Sequence, residues 1–147
     1  MNRRADRLAP VVEMALKAER EAARQLGQAQ NQLLQAQRKL AELERFRADY
    51  QQQWIDRGRQ GVSGQWLLDY QRFLAQLETA VEQQNRSLAW HQDVVEKARV
   101  AWSEKYARLE GLRKLVERYR EEARLLADKQ EQKQLDEFAQ RLRPPVY

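Results

Sequence analysis

Apolar side chains recur along most of this sequence at alternating spacings of three and four residues. In the second half the series runs from residue 67 to residue 126, and fifteen of its eighteen positions are apolar. The polar exceptions are Gln84, His91 and Lys105. An average repeat of 3.5 residues over so many turns is typical of a coiled-coil helix. A similar series runs from Ala22 to Leu43 in the first half, followed by two aromatic residues.

A glycine-rich segment separates the two series. Three of the five glycines, Gly58, Gly61 and Gly64, fall within seven residues, and glycine inside a helix is unfavourable. We therefore predict a first helix over about 8–57, a turn over about 58–63 with Ser63 as the N-cap, and a second helix over about 64–143. The predicted fold is all-α: a single domain over 1–147 that forms a long antiparallel two-helix coiled-coil hairpin, with the second helix longer than the first.

The predicted helices differ in length, which leaves part of the second helix without a partner. If the turn centres near residue 60, residue i faces roughly residue 120 − i, so Tyr50 meets Tyr70. About 30 residues, from roughly 114 onward, then have no partner within the chain. The apolar pattern nevertheless continues there, at Val116, Tyr119, Ala123 and Leu126, and resumes at Leu135, Phe138 and Leu142. Such a stripe is expected to bind another molecule, or to fray beyond about residue 127 in the free protein.

Aromatic residues concentrate beside the predicted turn. Phe46 and Phe73 lie one residue off the repeat, and Trp66 lies just before it. Two interpretations are open: the extra aromatic rings close the end of the two-helix stack, or they form an exposed patch that binds a partner.

Charge and composition argue against nucleic-acid binding and against catalysis. The formal net charge is +5, but residues 64–143 hold 15 basic and 14 acidic side chains, interleaved as on a solvated helix and not gathered into a basic stripe. There is no cysteine, and the single histidine lacks the spacing of a zinc motif, so we expect no enzyme activity, no metal and no cofactor. No apolar run is long enough to cross a bilayer and the N-terminus lacks a signal-peptide core, which favours a cytoplasmic location.

Two segments resemble the FliJ family of flagellar type III export proteins. They are the stretch from Ser63 to Glu78, SGQWLLDYQRFLAQLE, and the ending LDEFAQR at 135–141. The resemblance covers essentially the whole chain. It implies a non-enzymatic stalk whose end bearing both termini enters the pore of the hexameric export ATPase and promotes its assembly and activity. It also implies contact between the other end and the cytoplasmic linker of the export-gate membrane protein, a link to export chaperones for late substrates, and peripheral association with the inner membrane.

The same resemblance assigns candidate partner-binding residues. The gate-facing set is Lys39, Leu43, Phe46, Tyr50, Phe73, Leu77, Ala80 and Gln84. Lys39, Phe46 and Gln84 replace the Gln, Tyr and His that are typical of the family. The candidates for the ATPase-facing end are Val116, Tyr119, Leu126, Leu135, Phe138 and Arg141.

Two other functions remain open from the sequence. A homodimeric coiled-coil scaffold would bury the unpartnered stripe against a second copy. A cytoplasmic export chaperone would bind filament-class substrates without needing the ATPase.

Overall fold

The computed structural model describes residues 3–143 of the chain. These residues form two helices, α1 (Arg3–Gln60) and α2 (Gly64–Arg141), and contain no strand. The predicted all-α helical hairpin is confirmed, and α2 with 78 residues is longer than α1 with 58. Over the described residues, neither helix has an apolar stretch that could span a membrane.

Helix α1 begins at Arg3, five residues before the predicted start near residue 8. The first turn is held by packing, since Ala5 is buried and the Arg4 guanidinium lies 5.5 Å from the centre of the Tyr119 ring. Pro10 therefore lies inside the helix, where its ring nitrogen has no hydrogen to donate to the carbonyl of Asp6.

The turn is shorter than predicted and comprises residues 61–63. Helix α1 continues through Gly58 to Gln60 and is closed by Gly61, whose φ of 84° lies in the left-handed region and whose N–H donates to the Gly58 carbonyl. Ser63 is confirmed as the N-cap of α2, because its Oγ accepts a hydrogen bond from the Trp66 N–H at 3.1 Å.

The chain divides into two compact units. The hairpin unit is Ala22–Trp102, and the terminal unit joins Met1–Glu21 to Ser103–Tyr147. In the hairpin unit the buried positions follow the predicted repeat on both helices, at Ala22, Ala29, Ala36, Tyr70, Leu77, Val81 and Gln84. Gln84 satisfies its buried amide by donating to the Ala36 carbonyl at 3.0 Å. The predicted pairing of Tyr50 with Tyr70 is also confirmed, since their rings stack with centroids 4.7 Å apart.

The terminal unit has a smaller core among its described residues, made of Ala5, Ala15 and Leu109. Toward its end α2 has no buried side, because every residue from 124 to 143 is exposed. We call residues 124–143 the overhang. It starts about ten residues later than predicted, because the earlier start of α1 leaves Val116, Tyr119 and Ala123 half-buried.

Ion pairs within one helix cover much of the surface of α2. They join acidic and basic residues three or four positions apart, in the pairs Glu82–Arg86, Asp93–Lys97, Glu96–Arg99, Glu110–Arg113 and Glu121–Arg124. Arg99 lowers the pKa of the Glu96 carboxyl by hydrogen bonding to it, and Arg124 does the same to Glu121. Such exposed pairs add little to stability, but they occupy charges that a nucleic-acid surface would need.

Candidate partner-binding sites

Four aromatic rings stack beside the loop of the hairpin unit. The Trp54, Trp66 and Tyr70 rings pack against one another, with centroid distances of 5.7 Å for Trp54–Trp66, 4.6 Å for Trp54–Tyr70 and 5.5 Å for Trp66–Tyr70, and Tyr70 stacks in turn on Tyr50. Burial raises the pKa of the Tyr70 hydroxyl, and the nearby acidic groups of Tyr50 and Glu78 raise it further. This stack matches the first interpretation of the aromatic residues, in which they close the end of the helix pair.

Two phenylalanines beside that stack remain exposed. Phe46 is 51% exposed and Phe73 is 38% exposed, with their rings in an edge-to-face contact at 6.1 Å. The Tyr50 ring packs against the Phe73 ring, with the two ring centroids 4.6 Å apart. These three rings line an open groove of about 610 Å³, together with Asp49, Gln53 and Asp69. We call it the tip groove. The second interpretation, an exposed patch that can bind a partner, therefore describes Phe46 and Phe73.

The rim of the tip groove is acidic, although the chain as a whole is basic. Asp49 and Asp69 line the groove from opposite helices, and Asp69 accepts a hydrogen bond from the Gln65 side chain at 3.0 Å. Neither aspartate belongs to the apolar repeat or to the partner-binding residues expected from the sequence. Their positions in the sequence could have indicated that they lie together, because each directly precedes a member of the stacked pair Tyr50 and Tyr70.

The remaining gate-facing candidates differ in exposure. Leu77 and Gln84 are buried, Leu43 and Ala80 are half-buried, and Lys39 is exposed. Lys39 and Gln84 line a second, shallower groove of about 250 Å³ with polar neighbours. Of the eight residues, Phe46, Tyr50 and Phe73 thus line the tip groove, while Leu77 holds the helix pair together from within.

The ATPase-facing candidates fall into two groups in the terminal unit. Val116 and Tyr119 are half-buried, and Tyr119 is covered by the Arg4 guanidinium. By contrast, the overhang residues are all exposed, and Leu126, Leu135 and Phe138 are each more than half exposed, as is Leu142. Arg141 ends the helix, and the Leu142 N–H still donates to the Phe138 carbonyl.

The apolar residues of the overhang form a stripe that does not continue the coiled-coil seam. Leu135, Phe138 and Leu142 follow each other at spacings of three and four, so they share one face of α2. At about 100° per residue, that face is rotated by roughly 110° from the face that carries Tyr119 and Ala123. A molecule bound to this stripe would approach from another side than α1 does.

His91 has an incompletely satisfied environment. It is half-buried, its ring contacts Trp90 edge-on at 4.9 Å, and its Nδ1 is buried without a hydrogen-bond partner among the described residues. No group of three or more His, Asp or Glu side chains within residues 3–143 is arranged to hold a metal ion.

Comparison with known proteins identifies the family of this two-helix fold. A family model for the flagellar FliJ protein matches residues 4–143. The chain belongs to the FliJ family. It is 33% identical to the flagellar FliJ protein of Salmonella typhi over 130 residues, which cover 88% of each chain. It is 32% identical to the flagellar FliJ protein of Escherichia coli K12 over 134 residues, which cover 91% of each chain.

The fold extends beyond close FliJ relatives. A solved structure described as that of a YscO homologue from Chlamydia trachomatis superposes with a TM-score of 0.69 over 92% of both chains. The sequence identity is 22%, so this likeness concerns the fold alone. FliJ membership, in contrast, places the chain among flagellar proteins and confirms the resemblance found in the sequence.

Proposed function

We propose that this FliJ-family protein is a non-enzymatic stalk of the flagellar type III export apparatus. In this proposal its terminal end enters the hexameric export ATPase and promotes its assembly and activity. The hairpin end binds the cytoplasmic linker of the export gate, which holds the protein near the inner membrane. Export chaperones for late substrates would be further partners. The observation that carries the proposal is the overhang, a helical segment whose large apolar side chains have no partner within the described chain.

The overhang is suited to binding inside a ring. Leu135 and Phe138 lie on one face of the helix, and the side chains around them are charged or polar. A partner can therefore bury these two apolar side chains while the charged groups stay at the edge of the interface, in contact with water. A helix of this length without a packed face is only marginally stable in water. Binding would therefore stabilise the helix and the ring together.

The tip groove is suited to a different partner. Its floor is aromatic, which favours one large apolar anchor side chain, and its rim carries Asp49 and Asp69. A linker segment with an apolar anchor and a neighbouring Lys or Arg would satisfy both features. The two ends therefore differ chemically, as a protein that joins two different partners requires.

The steady-state rate of the cognate export ATPase tests the proposal. We expect the full-length chain to raise that rate and a chain ending at Leu126 to lose the effect. The double variant Leu135→Ser, Phe138→Ser keeps the length but removes the apolar stripe. It is expected to need at least about tenfold more protein for half-maximal stimulation, because exposed apolar anchors of an interface contribute on that scale.

A matched control uses the tip groove. The variant Phe46→Ala, Phe73→Ala also removes two large apolar side chains, but from the hairpin unit. It is expected to stimulate the ATPase as the unaltered chain does. If neither the full-length nor the truncated chain changes the rate while the ATPase is able to form hexamers, the proposed stimulation of the ATPase is wrong. A dimeric mass, measured by sedimentation at a low concentration of this protein, would then favour the homodimeric scaffold.

A further inference from the structure

Another open groove lies in the terminal unit, away from the overhang. Its volume is about 270 Å³, and we call it the basic groove. It is lined by Pro10, Val11, Met14, Ala15, Ala18, Lys105 and Arg108. None of these residues belongs to the candidate sets for the ATPase or the gate.

The groove exists because the seam is interrupted at this level. Position 105 belongs to the apolar series but is occupied by a lysine, and its side chain is exposed and does not fill the space between the helices. The residues on α1 beside it, Ala15 and Ala18, are too small to close the gap. A side chain from outside can enter where the chain's own packing leaves room.

The α1 wall of the groove is apolar, and its outer residues are exposed. Met14 is 73% exposed and Val11 is 36% exposed, and Pro10 stands next to them. Methionine adapts its shape readily and is common on surfaces that bind protein segments. An open groove of about 270 Å³ has room for one large side chain of a partner protein.

The rim of the groove is cationic. Lys105 and Arg108 are exposed and lie three residues apart, so they stand side by side along α2. Within residues 3–143 neither of them forms an ion pair, unlike Arg99, Arg113 and Arg124 on the same helix. Two adjacent cations beside an apolar cleft are complementary to an apolar side chain flanked by carboxylates.

We propose that the basic groove binds an amphipathic helical segment of a partner protein. Its apolar anchor, such as a leucine, packs against Met14 and Val11. Asp or Glu residues one helical turn from the anchor pair with Lys105 and Arg108. The proposal goes beyond the stalk function and does not depend on it, because it uses neither the overhang nor the tip groove.

A labelled methyl group makes the groove directly observable. The chain has only two methionines, Met1 and Met14, so protein labelled with ¹³C at the methionine methyl groups gives two signals. The variant Met14→Leu identifies which signal belongs to the groove. The probe is an alanine-based helical peptide with one leucine flanked by glutamates three and four residues away, compared with the same peptide carrying lysines at those positions.

We expect the glutamate peptide to shift the Met14 signal saturably and to bind about tenfold more tightly than the lysine peptide, as two exposed ion pairs would produce. The variant Lys105→Glu, Arg108→Glu is expected to reverse that order. The variant Lys129→Glu, Lys133→Glu makes the same change in net charge on the overhang and is expected to preserve the order. Equal binding of the two peptides, no shift of Met14 with either, or equal effects of the two charge-reversal variants would overturn the proposal.

Discussion

At the scale of single residues, polar groups placed in or beside the seam give the helix pair its register. The Gln84 amide reaches across to the Ala36 carbonyl, so a shift of one helix along the other would break this buried hydrogen bond. The same alignment brings Asp49 and Asp69 to one groove from positions 20 residues apart in the chain. Neither carboxylate acts in the core, and both are available to a partner that approaches the tip groove.

The tip groove yields the residue-scale prediction. In the variant Asp49→Asn, Asp69→Asn, the rim keeps its size and loses its charge. We expect binding of the cognate gate linker to weaken by about threefold to tenfold, because exposed charge pairs contribute up to about 1 kcal/mol each. The loss should shrink when salt rises from about 0.05 M to about 0.5 M, since salt screens such pairs.

Fluorescence anisotropy of a labelled linker peptide measures this effect. The control variant Asp93→Asn, Glu96→Asn removes two carboxylates from another part of α2 and is expected to bind the linker with unchanged affinity. An identical loss in both variants would mean that the acidic rim has no specific role.

At the scale of helices, the repeat in the sequence predicted the two elements, but both ends of α1 lie outside the bounds expected for it. The start of α1 was missed because a proline normally marks a first turn, whereas here the burial of Ala5 and the contact of Arg4 with Tyr119 extend the helix past it. The end of α1 was missed because Gly58 is tolerated within the last turn and only Gly61 takes the left-handed conformation. These effects arise from tertiary contacts and backbone geometry, which residue preferences alone do not contain.

The overhang yields the element-scale prediction. Amide hydrogens of residues 127–141 are expected to exchange within about tenfold of the unprotected rate in the free protein, because no apolar face there is buried. Amides of residues 70–95, in the core of the hairpin unit, serve as the internal reference and are expected to be strongly protected. Hydrogen exchange read by mass spectrometry or NMR distinguishes the two segments. Strong protection of residues 127–141 in a monomer would contradict the prediction.

At the scale of the whole molecule, the buried core is shared unevenly between the two units. Seven of the ten buried side chains lie in the hairpin unit and three lie among the described residues of the terminal unit. The sequence predicted one domain because the apolar spacing is continuous from residue 67 to residue 126. Spacing records which positions can face a partner helix, but not how much each facing pair buries, so the uneven burial was not visible in it.

This uneven core yields the whole-molecule prediction. All four tryptophans, at positions 54, 66, 90 and 102, belong to the hairpin unit, so their fluorescence reports on that unit alone. The circular dichroism of helices reports on both units. In urea we expect the helical signal to begin to fall at a lower concentration than the one that changes tryptophan emission.

The variant Tyr119→Trp supplies the matched probe in the terminal unit, where its emission is expected to change with the early phase. Coincident curves for every probe would instead indicate a single cooperative transition, and the two units would then unfold together.

The three-residue loop also constrains how proteins of this design can change length. A residue added to one helix of the hairpin unit turns everything beyond it by about 100° and removes the apolar positions from the seam. Adding seven residues returns the apolar positions to the seam. Every later residue then faces a new neighbour, unless the other helix also gains seven residues. Insertions and deletions in this part of the gene must therefore be inherited as matched pairs on either side of Gly61. The overhang faces no helix within the described chain, so a change in its length would leave the register of the helix pair intact.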